Sequence, residues 1–263
     1  MRQYIKNIFF FVLRIIQPSL GHHASILMYH SIGENPAFFT VSKKEFERQM
    51  AYLARKQYRV VPLPDLVAMI RNKNNISGCV AITFDDGYDD FCTNALPILQ
   101  KYRFPATIFL ATGLLESVRH TTEGSGIPLM KKNEARRVCK ANGIHCMPHT
   151  VSHPDLRKIS IQEGIDEIEQ SRVDTENISG ARAPIFAYPK GKYTKEVVVY
   201  MRRHGSWEAA VTVMPGLVDI QSDLFLLPRN AVDSKTTLTQ FKGKVSGAIA
   251  LYVKLKYVCK REI

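Results

Sequence analysis

The feature that most constrains the fold is a regular alternation of short β-rich apolar runs with amphipathic helical stretches, from about Ser25 onward. Eight runs are predicted as strands: 25–30, 58–63, 79–84, 106–112, 143–149, 185–189, 209–213 and 225–229. Five stretches are predicted as helices: 42–56, 90–102, 133–141, 161–176 and 195–204. Strands that alternate with helices form βαβ units around a parallel sheet. We therefore expect an α/β fold, a distorted (β/α) barrel of about seven or eight parallel strands, formed by residues 25–263.

Polar side chains stand repeatedly at the C-terminal ends of these predicted strands. The strand ends carry His30, Asp85 with Asp86, His149, Pro189 and Arg229. In a (β/α) barrel the C-terminal ends of the strands meet on one face, and that face carries the chemistry. We expect the functional site at this rim.

Two adjacent acids, Asp85 and Asp86, need a cationic partner there. Burying either carboxylate alone would cost several kcal/mol or force it to take up a proton. His149 and His153 are four residues apart, and two imidazoles with one carboxylate make a three-ligand site for Zn²⁺ or another divalent ion. One acid could then bind the metal while the other takes a proton from the attacking water. The residues alone do not say which acid does which.

Four segments, in order, resemble the polysaccharide deacetylase family, the NodB-homology enzymes of carbohydrate esterase family 4. They are LMYHSIG at 27–33, TFDDG at 83–87, HTVSHP at 149–154 and FAYPKG at 186–191. The likeness runs from about residue 25 to 235 and is nearest to the branch of poly-N-acetylglucosamine deacetylases. It implies a distorted (β/α) barrel and metal-dependent removal of an N- or O-acetyl group from a sugar.

The resemblance also implies roles for the acids and histidines. It makes Asp85 the general base, and it makes Asp86, His149 and His153 the ligands of one divalent metal ion. Zn²⁺ is the expected ion, and Co²⁺, Ni²⁺ or Fe²⁺ also suits this ligand set.

The FAYPKG segment departs from the family pattern. Many relatives have arginine and tyrosine where Ala187 and Lys190 stand, so the usual partner of the base is missing. The amide of Lys190 would still stabilise the oxyanion, with Pro189 and Tyr188 beside the substrate. Arg229, in LLPRNAV, resembles an L-P-R element of the poly-N-acetylglucosamine deacetylases. We expect it to orient the base, and a surface arginine is the alternative.

The late L-x-H histidine that serves as general acid in many relatives is absent. The leaving amine still needs a proton, because expelling an amide anion is very costly. His30 is the candidate donor, and a core or substrate-contacting histidine is the alternative interpretation.

The first 24 residues are predicted to form an amphipathic segment that associates with a membrane. One helical face would carry Ile5, Ile8, Phe9, Val12, Ile15 and Ile16, with Arg2, Lys6 and Arg14 placed to reach lipid headgroups. The apolar run is too short to span a bilayer. A degenerate signal peptide and a terminal helix packed on its own domain are the alternatives. The tail, about 238–258, is predicted as one closing helix packed on the barrel.

Composition limits the partners. With 36 Lys and Arg against 24 Asp and Glu, the net charge of +12 favours an anionic membrane surface or an acidic or lipid-linked substrate. The basic residues are scattered and accompany no nucleic-acid motif, so nucleic acid is not expected. Five cysteines, an odd number without C-x-x-C spacing, are predicted to be reduced, buried thiols rather than a disulfide framework.

Together these features predict a metal-dependent hydrolase that removes an N-acetyl group from an amino sugar in a surface polysaccharide or lipid-linked glycan precursor. It would work as a peripheral membrane protein, with the cytoplasmic face favoured over a periplasmic or exported location. A deformylase or O-acetyl esterase, and a catalytically silent glycan-binding protein, stay open as alternatives.

Overall fold

The structure, a computed structural model, describes residues 2–16, 19–120 and 126–258. Its strands are β1 (Ser25–Tyr29), β2 (Arg59–Val60), β3 (Cys79–Asp86), β4 (Ala106–Leu110), β5 (Val118–His120), β6 (Gly126–Pro128), β7 (Ile144–Pro148), β8 (Ile185–Ala187), β9 (Ala209–Val211) and β10 (Asn230–Ala231). Its helices are α1 (Arg2–Ile16), α2 (Lys43–Arg55), α3 (Leu63–Arg71), α4 (Leu96–Tyr102), α5 (Lys132–Cys139), α6 (Ile161–Ser179), α7 (Lys195–Arg203), α8 (Leu238–Lys244) and α9 (Ala248–Val258).

The central sheet is parallel and has the strand order β10-β1-β3-β4-β7, with β2 paired to the first residues of β3. Strands β8 and β9 form a separate parallel pair, and β5 with β6 forms an antiparallel hairpin. The predicted α/β fold with about eight parallel strands is confirmed. In the part of the chain that the structure describes, no ladder joins β7 to β8, so the barrel is open rather than closed.

Three predicted elements differ from those observed. The run 225–229 is not a strand: residues Leu224–Leu226 form a 3₁₀ turn, and Pro228, which cannot donate to a ladder, delays the strand to β10. The run 58–63 is cut to β2 because Pro62 and Pro64 begin α3, a helix that was not predicted. The tail forms two helices, α8 and α9, rather than one.

Strand β3 places the paired acids by its side-chain alternation. Its even positions, such as Phe84, pack outward in the cluster beneath α2 and α4, whereas Ala81 packs in the barrel interior. Because successive side chains in a strand point to opposite faces, Asp85 shares the interior face of Ala81. All eight residues of β3 are buried, so Asp85 and Asp86 both end a buried strand.

The prediction of reduced thiols is wrong for two of the cysteines. Cys139 at the end of α5 and Cys146 in β7 form a disulfide, with their Cα atoms 5.5 Å apart. The physical reason is the short connection between them, which folds the end of α5 back onto β7 and brings the two Cβ atoms together. Cys79 and Cys92 are free thiols, and Cys259 lies outside the described residues.

The predicted N-terminal helix forms as α1 and packs against α8 and α9. Among the described residues, no helix combines the length and the apolar character needed to cross a membrane.

Candidate active site

A cluster of one carboxylate and two imidazoles lies at the C-terminal ends of β3 and β7. Asp86 Oδ1 is 3.3 Å from His153 Nε2 and 3.7 Å from His149 Nε2, and all three side chains are buried. Among the described residues, Asp86 Oδ1 has no hydrogen-bond donor. A buried carboxylate oxygen without a donor that faces two imidazole nitrogens is the donor set of a divalent metal site, so the residues fit a metal ion.

The two histidines offer neutral rings to this cluster. His149 Nδ1 donates to the carbonyl oxygen of Ala187 at 2.7 Å, which leaves the Nε2 lone pair facing Asp86. Burial lowers the pKa of His149, and burial together with His149 lowers the pKa of His153 to about 3. Neutral imidazole is the form that binds metal.

The loop that carries His153 is held by Glu167 of α6, which the sequence did not single out. Its carboxylate accepts hydrogen bonds from the amides of Val151 and Ser152, both at 2.8 Å, and from the Ser152 hydroxyl at 2.6 Å. Thr150 and His153 both have left-handed backbone conformations, with φ of 65° and 58°. Non-glycine residues seldom adopt this conformation, so the surrounding contacts have to maintain it.

Asp85 is paired with Arg229, the largest fully buried side chain. The guanidinium donates to both carboxylate oxygens, with Nη1 to Oδ1 at 2.6 Å and Nη2 to Oδ2 at 2.7 Å. Arg229 is itself fixed by hydrogen bonds to the Thr83 hydroxyl and the Thr212 carbonyl. Burial opposes ionisation of Asp85, but the charge of Arg229 and its hydrogen bonds outweigh burial and lower the pKa of this carboxyl. Arg229 is therefore a buried partner of Asp85, and the alternative of a surface arginine is wrong for this residue.

Asp86 also has a cationic contact that the sequence did not reveal. Arg119 Nη1, from β5, lies 2.5 Å from Asp86 Oδ2, on the side away from the histidines. Burial opposes ionisation of Asp86, but the charges of His30 and Arg119 hold its pKa well below the usual range. Asp86 has a left-handed φ of 74°, and Gly87 follows with φ of 83°. A Cβ at Gly87 would crowd Leu110, so glycine suits this turn.

The FAYPKG segment borders the cluster, because the carbonyl of Ala187 accepts the hydrogen bond from His149 Nδ1. Lys190 lies in the same segment, and its positive charge adds to burial and the charge of His149 in lowering the pKa of His153. Lys190 has a φ of 56°, and its backbone N–H donates to no acceptor among the described residues. Pro189, just before it, is buried. Tyr188 does not reach the site, because its ring is buried beside Tyr193 and its hydroxyl donates to the Phe225 carbonyl.

His30 follows β1 at the same rim and is half-buried. Its ring packs against Phe39 with the centroids 5.4 Å apart. Its charge lowers the pKa values of both Asp85 and Asp86, so it lies within electrostatic reach of the acids. Phe38, which packs on Phe39, is 61% exposed, so this edge of the site is aromatic.

Residues 72–207 match the family model for polysaccharide deacetylase. The chain is also 31% identical over 205 residues to YxkH of Bacillus subtilis, a protein assigned to the polysaccharide deacetylases, across 78% of this chain and 69% of that protein. The chain belongs to the polysaccharide deacetylase family. Members use a divalent metal ion, and the matched range contains Asp85 and the metal cluster but not His30 or Arg229.

Two further relatives of this deacetylase support the assignment. The poly-beta-1,6-N-acetyl-D-glucosamine N-deacetylase of Staphylococcus aureus is 28% identical over 46% of the chain, and the match spans only 40% of that relative. The solved structure of the Streptococcus pyogenes deacetylase PplD in complex with acetate superimposes with a TM-score of 0.74 at 25% identity, covering 85% of this chain and 98% of that one. The protein is therefore a carbohydrate deacetylase, a hydrolase that acts on amide bonds.

Proposed function

We propose that this deacetylase removes the N-acetyl group from an amino sugar in a surface polysaccharide or a lipid-linked glycan precursor. One observation carries the proposal: the buried cluster of Asp86, His149 and His153 stands directly beside Asp85, a carboxylate held ionised by Arg229. A base beside a metal site is the arrangement that amide hydrolysis requires.

In the proposed reaction, water attacks the acetyl carbon, the C–N bond breaks, and acetate and a free amine leave. A divalent ion held by Asp86, His149 and His153 would polarise the acetyl carbonyl and make the water more acidic. Asp85 takes the proton of the attacking water, and Arg229 keeps its oxygens in a fixed orientation while it does so.

Two other groups complete the proposed chemistry. The unpaired N–H of Lys190 donates to the developing oxyanion, a role that does not depend on the lysine side chain. His30 supplies the proton to the leaving nitrogen. Its place at the rim and its electrostatic contact with both acids support this assignment.

Zinc is the metal we propose, because two imidazoles and one carboxylate leave a tetrahedral position open for substrate. Purified protein reconstituted separately with Zn²⁺, Co²⁺, Ni²⁺ or Fe²⁺ tests this. In competitive titration the highest affinity is expected for zinc. A higher affinity for Co²⁺, Ni²⁺ or Fe²⁺ would contradict this assignment.

The decisive test is acetate release from N-acetylhexosamine glycans and lipid-linked amino sugars by metal-loaded protein. Chelation, Asp85→Asn and His153→Ala are each expected to abolish release, with Asp85→Asn still binding metal. His204→Ala, a histidine at the end of α7, is the control and is expected to retain activity. Release of formate, or of acetate only from O-acetyl esters, would move the assignment to a deformylase or esterase. Metal binding without any hydrolysis would favour a glycan-binding role.

We propose that the protein acts at a membrane of the cell envelope and lies on the exported side of that membrane. The Cys139–Cys146 disulfide supports that side, because disulfides persist in oxidising compartments, and it outweighs the cytoplasmic location favoured from the sequence. Thiol labelling of denatured protein taken from cells tests this. Cys139 and Cys146 are expected to react only after reduction, and reaction without reductant would contradict an exported location.

A further inference from the structure

Helix α1 is apolar on two sides, and the inner side is part of the folded domain. Phe10 is buried and stacks on Tyr252 of α9 with the ring centroids 5.0 Å apart. Gly243 of α8 leaves space for this ring, since a Cβ there would overlap it. Asn7 accepts a hydrogen bond from Gln240 at 2.7 Å. Packing and hydrogen bonds therefore fix α1 without using its outer side.

The outer side of α1 is exposed and continuous. We call it the apolar stripe; it consists of Tyr4, Ile8, Phe11, Val12, Ile15 and Ile16, each between 46% and 70% exposed. At 100° per residue these positions fall on one face of the helix. Exposed valines on other helices, Val173 and Val199, stand apart from such a stripe. A contiguous exposed apolar face indicates that something covers it.

Positive charge flanks the apolar stripe. Helices α1, α8 and α9 contain no Asp or Glu, and the basic side chains that the structure describes on them are those of Lys6, Arg14, Lys242, Lys244 and Lys254. Burial together with Lys6 lowers the pKa of Lys244 to about 8, and burial together with Arg14 lowers the pKa of Lys242. These like charges repel one another, and a negatively charged surface would stabilise the exposed members of the set, Lys6 and Lys254.

We propose that the apolar stripe docks on an anionic lipid bilayer. An apolar helix face flanked by Lys and Arg fits the boundary between acyl chains and negatively charged headgroups. A second copy of the chain fits poorly, because a symmetric contact would bring the two sets of basic residues together.

The first turn of α1 contacts the loop that borders the His30 edge of the site. The Gln3 side chain donates to the carbonyl of Lys235, and the neighbouring Ser234 amide donates to the carbonyl of Phe38 at 3.0 Å. The first turn of α1 therefore lies beside the loop that carries Phe38 and Phe39, against which His30 packs. Docking through the stripe would therefore place the loop that carries Phe38 beside the bilayer.

The test is co-sedimentation of the full chain with vesicles of phosphatidylglycerol or of phosphatidylcholine. Binding is expected for phosphatidylglycerol and is expected to weaken as salt is raised. The double variant Val12→Glu/Ile15→Glu is expected to lower partitioning at least about tenfold, because it puts two carboxylates at the acyl boundary. The matched control Val173→Glu/Val199→Glu carries the same new charges on α6 and α7 and is expected to bind as wild type.

Charge is tested separately with Lys6→Gln/Lys254→Gln, which is expected to reduce the preference for phosphatidylglycerol. Exposed lysines elsewhere provide its control, Lys158→Gln/Lys195→Gln.

Three results would overturn the proposal: absence of binding to phosphatidylglycerol, binding that the stripe variant leaves unchanged, or a lipid-free dimer that the stripe variant converts to monomer in sedimentation velocity. The stripe variant is expected to hydrolyse soluble substrate at the wild-type rate. Failure of docking is therefore distinguishable from failure of the proposed deacetylation.

Discussion

At the scale of single residues, the paired acids avoid mutual repulsion by facing different cations. Asp85 turns into the barrel and meets Arg229, whereas Asp86 turns to the rim and meets the histidines and Arg119. Adjacent carboxylates in one strand point to opposite faces, and the left-handed φ of Asp86 adds to their separation. Two neighbouring acids can therefore hold two different tasks.

Arg229→Lys is expected to reduce kcat at least about 100-fold while the protein still binds one metal ion. Lysine keeps the charge but cannot donate to both oxygens of Asp85, so the base loses its orientation. Arg229→Gln is expected to destabilise the fold by about 3–5 kcal/mol as well, since it leaves a buried carboxylate without a partner. Acetate release, metal content and urea unfolding measure these effects, with Arg182→Lys, an exposed arginine, as control. Wild-type kcat in Arg229→Lys would exclude a positioning role.

Asp90 is expected to make stability fall between pH 4 and pH 7. Burial raises its pKa from 3.8 to about 6, although Ser31 and the amide of Ile32 donate to it. The native state thus binds more protons than the unfolded state in this window, so the group stabilises most below pH 4 and least above pH 6. Relative to Asp90→Asn, the free energy of unfolding of the wild type is expected to fall by about 2 kcal/mol between pH 4 and pH 7.

Urea unfolding of wild type and Asp90→Asn at pH 4, 5.5 and 7 measures this difference. Asp65→Asn, an exposed acid in the first turn of α3, is the control. A difference that stays constant over the three pH values would contradict the prediction.

At the scale of elements, helix α6 holds the loop that carries the metal ligand His153. Glu167 of α6 binds the backbone of residues 151 and 152, and the Thr150 hydroxyl accepts from the His153 amide at 3.0 Å. The position of the His153 ring therefore depends on the packing of α6 against the barrel.

Glu167→Ala is expected to weaken zinc binding about 10- to 100-fold, because the loop loses three hydrogen bonds that hold His153 in place. Titration against a competing chelator measures the affinity. Asp166→Ala is the matched control, since this neighbouring acid accepts only from Gln162 on its own helix among the described residues. Equal zinc affinities for the two variants would show that the loop holds its shape without Glu167.

Sequence reasoning recovered elements and groups whose signal is local. Apolar runs in the sequence predict strands β1, β3, β4 and β7. The two acids of TFDDG and the two histidines of HTVSHP predict four polar groups at one rim. Glu167 and Arg119 carry no such signal, because each acts through contacts between segments that are distant in the chain. The Cys139–Cys146 pairing was missed for the same reason, since sequence does not give disulfide connectivity. Helix α3 was missed because Pro62 just before it and Pro64 in its first turn look like the end of a strand.

At the scale of the whole molecule, the open barrel brings together groups from both ends of the chain. His30 follows the first strand, the metal cluster comes from β3 and β7, and Arg229 precedes the last strand, β10. A ligand bound to this cluster holds segments 67 residues apart, from Asp86 to His153, in one place. Metal binding should consequently stabilise the entire fold.

Zinc at 100 times its Kd is expected to raise the melting temperature by roughly 5–10 °C over the chelated protein, because only the native state offers the assembled site. Calorimetric scans with zinc and with chelator measure the shift. His153→Ala is expected to lose it, and Mg²⁺, which prefers oxygen ligands, is expected to give none. A zinc shift of equal size in His153→Ala would place the binding elsewhere.

The late position of Arg229 also bears on when a newly made chain becomes active. Its partner Asp85 is synthesised 144 residues earlier, and the other cluster residues also precede Arg229. A chain that ends before Arg229 would carry every metal ligand, but a barrel folded from it would bury Asp85 without its countercharge, and the carboxyl would take up a proton instead. We therefore expect hydrolysis to begin only when Arg229 has folded onto Asp85, so that an unfinished chain does not attack glycan.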